Sequence, residues 1–360
     1  MQDNHANILD GWLVSALGFC SGTDDDWKPG KYPRGFLDKV WALNLPGKAA
    51  SWIELPPFPG GARQAAQGAC IGGELYLWGG FNYTEPHTYA DGYKLSRKSG
   101  DWKWSPLPPL PSPSSWAGMS ALGSKIYCVG GADYDGERFY TLQDRSGKVS
   151  RLGARLIVFD TDAPEKGWIE KSPLPGTPRC LTTAAPVDGK IYVVGGMSAM
   201  ENGGYSNVVD TWRYDPASDA WDRLRDMPIS ASGSSSSTIV YKNRYLLLPC
   251  GYQYGAVMRP DGSIENSYGT PEKVKRTWKS HPMFATTHYY NHHFVYDTRT
   301  NLFGTATSLP TDDVATITVV EGDTVYMLPG ETGGFEWNGE YFGHHPEFVL
   351  IGTAKELDWE

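Results

Sequence analysis

Short apolar runs alternate with glycine-rich polar turns along this chain, and one phrase returns. Gly189-Lys190-Ile191-Tyr192-Val193-Val194-Gly195-Gly196 is its clearest form, a turn, an apolar run and a glycine pair. Ala69-Cys70-Ile71-Gly72-Gly73-Glu74-Leu75-Tyr76-Leu77-Trp78-Gly79-Gly80 and Leu122-Gly123-Ser124-Lys125-Ile126-Tyr127-Cys128-Val129-Gly130-Gly131 repeat it. Weaker copies begin at Leu9, Tyr241 and Glu321. Each copy predicts two apolar strands joined by a tight turn of Gly, Asp, Asn or Ser type. A third strand follows every copy, as in Arg155 to Asp160 and Val208 to Asp215. After most copies a fourth opens on an aromatic or apolar residue and closes on proline, as in Trp52-Ile53-Glu54-Leu55-Pro56 and Trp221 through Met227-Pro228.

Four antiparallel strands repeated six times predict an all-β, six-bladed β-propeller of four-stranded blades. One sheet cannot cover its own two faces, and radial stacking buries them against its neighbours. A single domain is expected over 1–360, with blades near 1–59, 60–111, 112–175, 176–228, 229–310 and 311–360. Closure is the tightest constraint. The first inner strand must fit within about Asp3 to Ile8, and only Ala354 to Glu360 remain for the fourth strand of the last blade.

Composition agrees: 42 Gly, 26 Pro and 13% aromatics in 360 residues suit many short strands. A formal charge of -9 and the lack of any Lys/Arg block argue against nucleic acid and anionic membranes as partners. The five cysteines show no Cys-x-x-Cys spacing and read as small buried hydrophobes. No apolar run is long enough to span a bilayer, and the first residues do not form a signal peptide. The compartment stays open: cytoplasmic as written, or secreted or periplasmic had a leader been removed.

In a propeller the connections between second and third strands share one face with the connections between blades. Here they are long and aromatic, running near 19–36, 81–90, 132–154, 197–207, 252–293 and 331–347, whereas the opposite face has short turns. Long loops on a rigid scaffold are where binding usually resides. Tyr83, Tyr134, Tyr252 and Tyr254 offer flat stacking surfaces, and Asn82 and Asp133 offer hydrogen bonds, a mixture that suits a sugar. Arg63 and Arg179 enter the same face from the blade connections. Each either holds a carboxylate bidentately or ties one blade to the next through an acidic neighbour.

Histidines gather there too, including His87, His288, His292, His293, His344 and His345. Strand alternation throws His292 and His293 to opposite sides, which argues against zinc, and no metal or other cofactor is expected. Asp133-Tyr134-Asp135-Gly136-Glu137 has the look of a calcium turn but lacks the later glutamate, so a solvated acidic turn is the simpler expectation. Asn82-Tyr83-Thr84 has the form of a glycosylation acceptor.

The glycine pairs, Trp212-Arg213-Tyr214-Asp215-Pro216, the later Trp221 with Met227-Pro228, and Thr177-Pro178-Arg179 resemble the Kelch motif over nearly the whole chain. That likeness implies the propeller and leaves function open, since Kelch propellers include enzymes, adaptors and lectin-like modules. Phe58-Pro59-Gly60-Gly61-Ala62-Arg63, followed by the Leu75 to Gly80 strand, resembles the bacterial N-acetylneuraminate epimerase (sialic acid mutarotase) group. The resemblance implies cofactor-free opening and closing of an acidic sugar ring, with an arginine on the carboxylate and a carboxylate or histidine moving the anomeric proton. Glu331, Glu85, His87 and His288 are the candidates for proton transfer. Arg63, Arg179, Asn82, Tyr83, Asp133, Tyr134, Tyr252, Tyr254, His344 and His345 are the candidates for holding a small-molecule or oligosaccharide ligand. Two alternatives remain: a lyase acting on uronic-acid polysaccharides through a His/Tyr pair such as His288 with Tyr289, and a non-enzymatic module binding a glycan or a protein. Oligomeric state is left open.

Overall fold

The computed structural model describes residues 1–20, 35–45, 51–199, 205–228, 239–253, 256–258, 264–266, 288–309, 315–328, 330, 335–337, 340–342 and 349–355. Six antiparallel sheets follow one another along the chain, each ordered first strand to last from one edge to the other. Blade 1 comprises His5–Leu9, Trp12–Ala16, Val40–Asn44 and Trp52–Glu54. Blade 2 comprises Gln67–Ile71, Glu74–Trp78, Gly92–Lys98 and Asp101–Leu107. Blade 3 has Gly118–Leu122, Lys125–Val129, Leu156–Asp160 and Trp168–Lys171. Blade 4 has Thr183–Val187, Lys190–Val194, Thr211–Asp215 and Ala220–Arg223. Blade 5 has Val240–Tyr241, Tyr245–Gln253, His288–Asp297 and Leu302–Thr305. Ile317–Glu321, Thr324–Leu328 and Leu350–Thr353 form the described part of blade 6. Its expected fourth strand falls outside the described residues. The fold is the all-β, six-bladed propeller expected, with no α-helix among the described residues.

Burial grades outward along each sheet. In blade 4 the second strand, Lys190–Val194, is buried at every position after its lysine, because neighbouring blades cover both faces. The outermost strand of blade 1, Trp52–Glu54, is exposed throughout. First hairpins turn through paired left-handed residues, Asp10 with Gly11 and Asp188 with Gly189 among them, the geometry that matches strand twist in a two-residue turn. This is why Gly, Asp and Asn mark each copy of the repeat.

Apolar clusters fill the gaps between blades. Leu9 and Val14 of blade 1 meet Leu75 and Leu95 of blade 2, and Trp78 of blade 2 meets Ile126 and Phe159 of blade 3. Val129 and Val158 of blade 3 meet Ile191 and Tyr214 of blade 4. Val194 of blade 4, Leu246 of blade 5 and Met327 of blade 6 share one cluster. The ring closes where Ala6 and Leu13 of blade 1 pack on Ile317, Val319 and Leu328 of blade 6. At the perimeter, the Trp104 indole N–H donates to Pro56 O at 3.0 Å and that of Trp221 to Ser172 O at 2.8 Å, each reaching back to the previous blade.

A second series of bonds links blades 1 to 4 just ahead of their inner strands. Two residues before the inner strand, blades 1, 2, 3, 4 and 6 each place a non-glycine residue in the left-handed region: Asp3, Ala65, Trp116, Leu181 and Ala315. Ala65 N–H donates to Asp3 O, Trp116 N–H to Ala65 O and Leu181 N–H to Trp116 O, at 2.9, 3.1 and 2.9 Å. Each left-handed residue costs roughly 1 kcal/mol or more, and each bond passes register from one blade to the next. The corresponding residue of blade 5 lies outside the described residues.

Candidate functional site

The second-to-third connections carry small structures that the sequence pattern does not reveal. Two-stranded ribbons stand there in blades 1, 3, 4, 5 and 6, namely Phe19–Cys20 with Gly35–Phe36, Asp133–Tyr134 with Phe139–Tyr140, Met197–Ala199 with Tyr205–Asn207, Ala256–Met258 with Ile264–Asn266 and Phe335–Trp337 with Glu340–Phe342. Blade 2 has instead a bridge from Phe81 to Thr88. Runs of two or three residues are too short for alternation to show.

Side-chain contacts join these connections into a collar. Phe36 of blade 1 meets Tyr83 of blade 2 edge to face at 4.8 Å. Thr88 of blade 2 accepts from Tyr134 N–H of blade 3 at 2.7 Å and donates back to its carbonyl at 3.2 Å. Ala199 N–H of blade 4 donates to Thr141 Oγ1 of blade 3 at 3.0 Å. Strand Tyr205–Asn207 of blade 4 then lies against Ala256–Met258 of blade 5.

An aromatic cluster lies under the collar. Phe81, fully buried, meets Trp116, Phe139 and Tyr134 at 4.9, 5.0 and 5.4 Å, and Tyr134 stacks on Phe139 at 4.5 Å. Trp116 is one of the left-handed residues just ahead of an inner strand, so the cluster runs from that strand outward. Trp116, Phe139 and Phe36 escaped the sequence reading. The spacing of Ala65 and Trp116 ahead of their inner strands is the signal that would have found the first.

Glu85 and His87 come together on the same rim, carboxylate to Nε2 at 3.3 Å, with Glu85 largely exposed and His87 mostly covered. His87 packs on Gly136 of the next blade's ribbon, where a Cβ would sit 2.9 Å from the imidazole. Within that ribbon Arg138 Nε donates to the Tyr140 hydroxyl at 2.7 Å, and that hydroxyl donates to Asp135 at 2.6 Å. Asn82 serves its own loop: Nδ2 donates to Ala62 O and to the Tyr89 hydroxyl, and Oδ1 accepts from Thr84. Its amide is therefore committed, against the glycosylation motif.

Asp133 departs from the expected solvated turn. It is buried, accepts from Arg145 N–H at 2.9 Å and faces the Arg145 guanidinium at 3.6 Å. Burial holds its carboxyl above the usual carboxylate range, with Arg145 opposing. Among the described residues no group of three or more His, Cys, Asp or Glu is placed to hold a metal.

Arg63 and Arg179 take the blade-tying arrangement rather than facing a ligand. They occupy equivalent places and are 1% and 0% exposed. Arg63 pairs with Asp91 at 2.6 Å, donates to Gly79 O, Gly61 O and Gly60 O, and lies 3.7 Å from the Tyr89 ring centre. Arg179 pairs with Asp210 and donates to Thr177 O, Gly195 O and Asp210 O. Gly60 and Gly176 cover the two pairs, and a Cβ on either would fall within 2.7 Å of both guanidinium and carboxylate. The guanidinium groups expected to grip a substrate carboxylate are thus buried against carboxylates and carbonyls of the chain, although Arg179 Nη2 itself has no hydrogen-bond partner. Burial lowers the Arg179 pKa, Asp210 working against it.

Of the remaining candidates, Tyr252 and His288 lie in the long strands of blade 5, and their side chains fall outside the described residues. Glu331, Tyr254, His344 and His345 lie outside them altogether.

Repeat, blade geometry and tryptophan ties define a Kelch-type propeller with an elaborated loop face. The N-acetylneuraminate epimerase family model matches residues 149–334, over half of the chain, and the chain belongs to that family. It is 30% identical over 189 residues to N-acetylneuraminate epimerase 1 of Escherichia coli, a match covering 51% of this chain and 50% of that protein. With the N-acetylneuraminate epimerase of Pasteurella multocida it shares 24% identity over 323 residues, covering 82% of this chain and 81% of the relative. The human Kelch repeat and BTB domain-containing protein 13 is 31% identical over 139 residues, covering 39% of this chain and 26% of that protein. The chain spans half or less of the length of the first curated relatives it matches. The solved structure of YjhT shares the fold, with a TM-score of 0.66 and 14% identity over 98% of this chain and 94% of that one.

Proposed function

We propose that the long-loop face receives an acidic sugar and that the protein interconverts its anomers without a cofactor, in the manner named by its epimerase relatives. Membership of that family is the observation that carries the reading. The stitched collar supports it, because a wall joined from blade 1 to blade 5 suits a pocket for one sugar better than an open groove.

The chemistry is a proton exchange. A proton leaves the anomeric hydroxyl while the bond from the anomeric carbon to the ring oxygen breaks, and the ring oxygen takes up a proton. Closure on the other face of the carbonyl reverses both transfers. Glu85 and His87 are the expected proton-moving residues that the described part of the chain brings together, and Glu331 and His288 are the other candidates. With Arg63 and Arg179 buried against carboxylates of the chain, Arg138, exposed in the ribbon whose Gly136 packs on His87, is a cation that suits the sugar carboxylate.

Proton NMR of N-acetylneuraminate far from anomeric equilibrium tests this reading. Catalytic amounts of protein should speed equilibration, and an unchanged rate refutes the enzymatic reading. The Kelch-named relatives favour one alternative, a binding module, for which a ligand would bind without anomer exchange.

A further inference from the structure

The joint between blades 2 and 3 breaks a pattern that its neighbours keep. In blades 2, 3 and 4 the first glycine of the pair donates its N–H to the residue just ahead of the third strand: Gly79 to Asp91 O, Gly130 to Arg155 O and Gly195 to Asp210 O, at 3.0, 2.9 and 3.3 Å. The linker from the preceding blade supplies a second residue, two before the left-handed position, which is Arg63, Ser114 and Arg179 in turn. Blades 2 and 4 fill the two places with a carboxylate and an arginine, and these pair. Blade 3 has an arginine in the carboxylate's place and a serine in the arginine's.

This swap leaves a buried cation without a counter-ion. Arg155 is 7% exposed; its Nη1 donates to Ser112 Oγ at 2.6 Å, while Nη2 is buried with no hydrogen-bond partner. Among the described residues no carboxylate forms an ion pair with it. Glu170 and Asp144 act on it only through space, and Asp144 already accepts from the Ser146 hydroxyl and Val149 N–H. Ser114 is fully buried, and its hydroxyl too lacks a partner. It lies against Gly131 as the Arg63 stem lies against Gly80, so the linker ends in a hydroxyl where blade 2 sends a guanidinium. Water could satisfy Nη2 but would leave the joint positively charged, and a buried charge is costly unless it is paired.

We propose that this joint is an anion site, in which a small monovalent anion of the halide class takes the part that Asp91 and Asp210 play in the neighbouring blades. The Arg155 guanidinium supplies the charge, and the hydroxyls of the Ser112–Ser114 linker supply further donors. One guanidinium balances one negative charge, so a sulfate or phosphate dianion would leave a buried surplus. Arg155, Ser112 and Ser114 are all buried, which shuts out a carboxylate carried on a sugar ring. The site is thus separate from the one proposed for the sugar.

The test is the melting temperature of the full chain in sodium chloride against sodium gluconate of equal ionic strength, for the wild type, Ser112→Asp and Arg155→Met. With a millimolar Kd, about 100 mM chloride should raise the wild-type value by about 2–4 °C. Ser112→Asp sets a carboxylate where Ser112 Oγ now meets Arg155. It should melt above the wild type in gluconate and respond to chloride no more than Arg155→Met does. General salt effects act alike on the three proteins and cancel in the comparison. Bromide should replace chloride, and its anomalous scattering in a crystal should place a peak beside Arg155 Nη2. A wild type that gains no more from chloride than Ser112→Asp overturns the site, whether or not Arg155→Met folds. The absence of a bromide peak from this joint overturns it as well.

Discussion

Replacing Arg179 by methionine measures what the buried arginines do. Methionine fills much of the stem volume but leaves Asp210, whose side chain is 12% exposed, without its cation, and withdraws the donor from Thr177 O, Gly195 O and Asp210 O. Removing one partner of a buried ion pair costs about 3–5 kcal/mol, because the other charge stays in a poorly solvated place. With an unfolding entropy near 2 cal/mol/K per residue, about 4 kcal/mol lowers the melting temperature of a chain this long by roughly 5 °C. Arg63→Met should cost less, because the Asp91 side chain is 36% exposed and regains water. Adding Asp210→Asn to Arg179→Met should restore part of the loss, since the stranded charge is gone. The assay is thermal and urea unfolding of the four proteins. An Arg179→Met protein that unfolds within about 0.5 kcal/mol of the wild type, the usual scatter of surface changes, would refute a stabilising Arg179–Asp210 pair. So would a double variant no more stable than the single one.

Three further outcomes follow from the packing. His5 is buried and its pKa is lowered by that burial to about 4, against 6.5 in the unfolded chain. The unfolded state then binds the extra proton, so the contribution is complete above about pH 6.5 and is lost as pH falls toward 4, up to about 3 kcal/mol; His5→Gln should flatten the fall in melting temperature between pH 7 and 5, and an unchanged slope would contradict it. Gly130 has φ +72°, and a Cβ there would lie 2.5 Å from Arg179 O, a backbone atom. Gly130→Ala should therefore destabilise by about 2 kcal/mol or more, and a melting temperature equal to that of the wild type would show that the blades are free to part. Trp221→Phe removes the tie to Ser172 O and should cost about 1 kcal/mol, read by urea unfolding, with no loss pointing to a perimeter bond of no consequence.

The repeat made the blades legible because its turn residues are stereochemically demanding: Asp188-Gly189 can hardly stand anywhere but a left-handed hairpin turn. The long-loop face was legible from connection lengths alone. Individual side chains there were not, since the chemistry of an arginine does not say which carboxylate it meets. Arg179 and Asp210 are 31 residues apart and converge only when the linker between blades 3 and 4 folds over the start of the third strand. Asp133 looked solvated because its near neighbours are polar, whereas Arg145, twelve residues on, covers it. Pro-Ser-Ser-Trp gives Trp116 no local signal; only its place two residues ahead of an inner strand, shared with Ala65 and Leu181, marks it.

The seam between the two ends of the chain sets a timetable. Ala6 and Leu13 leave the ribosome some 300 residues ahead of Ile317, Val319 and Leu328, the side chains that finally shield them. At ~5–20 residues per second, the earliest flank waits on the order of 15–60 s in contact with solvent. Throughout that interval the newborn protein presents a sticky sheet margin, and rapid capture by a holdase, or slow translation at low temperature, should decide how much of it matures into closed rings.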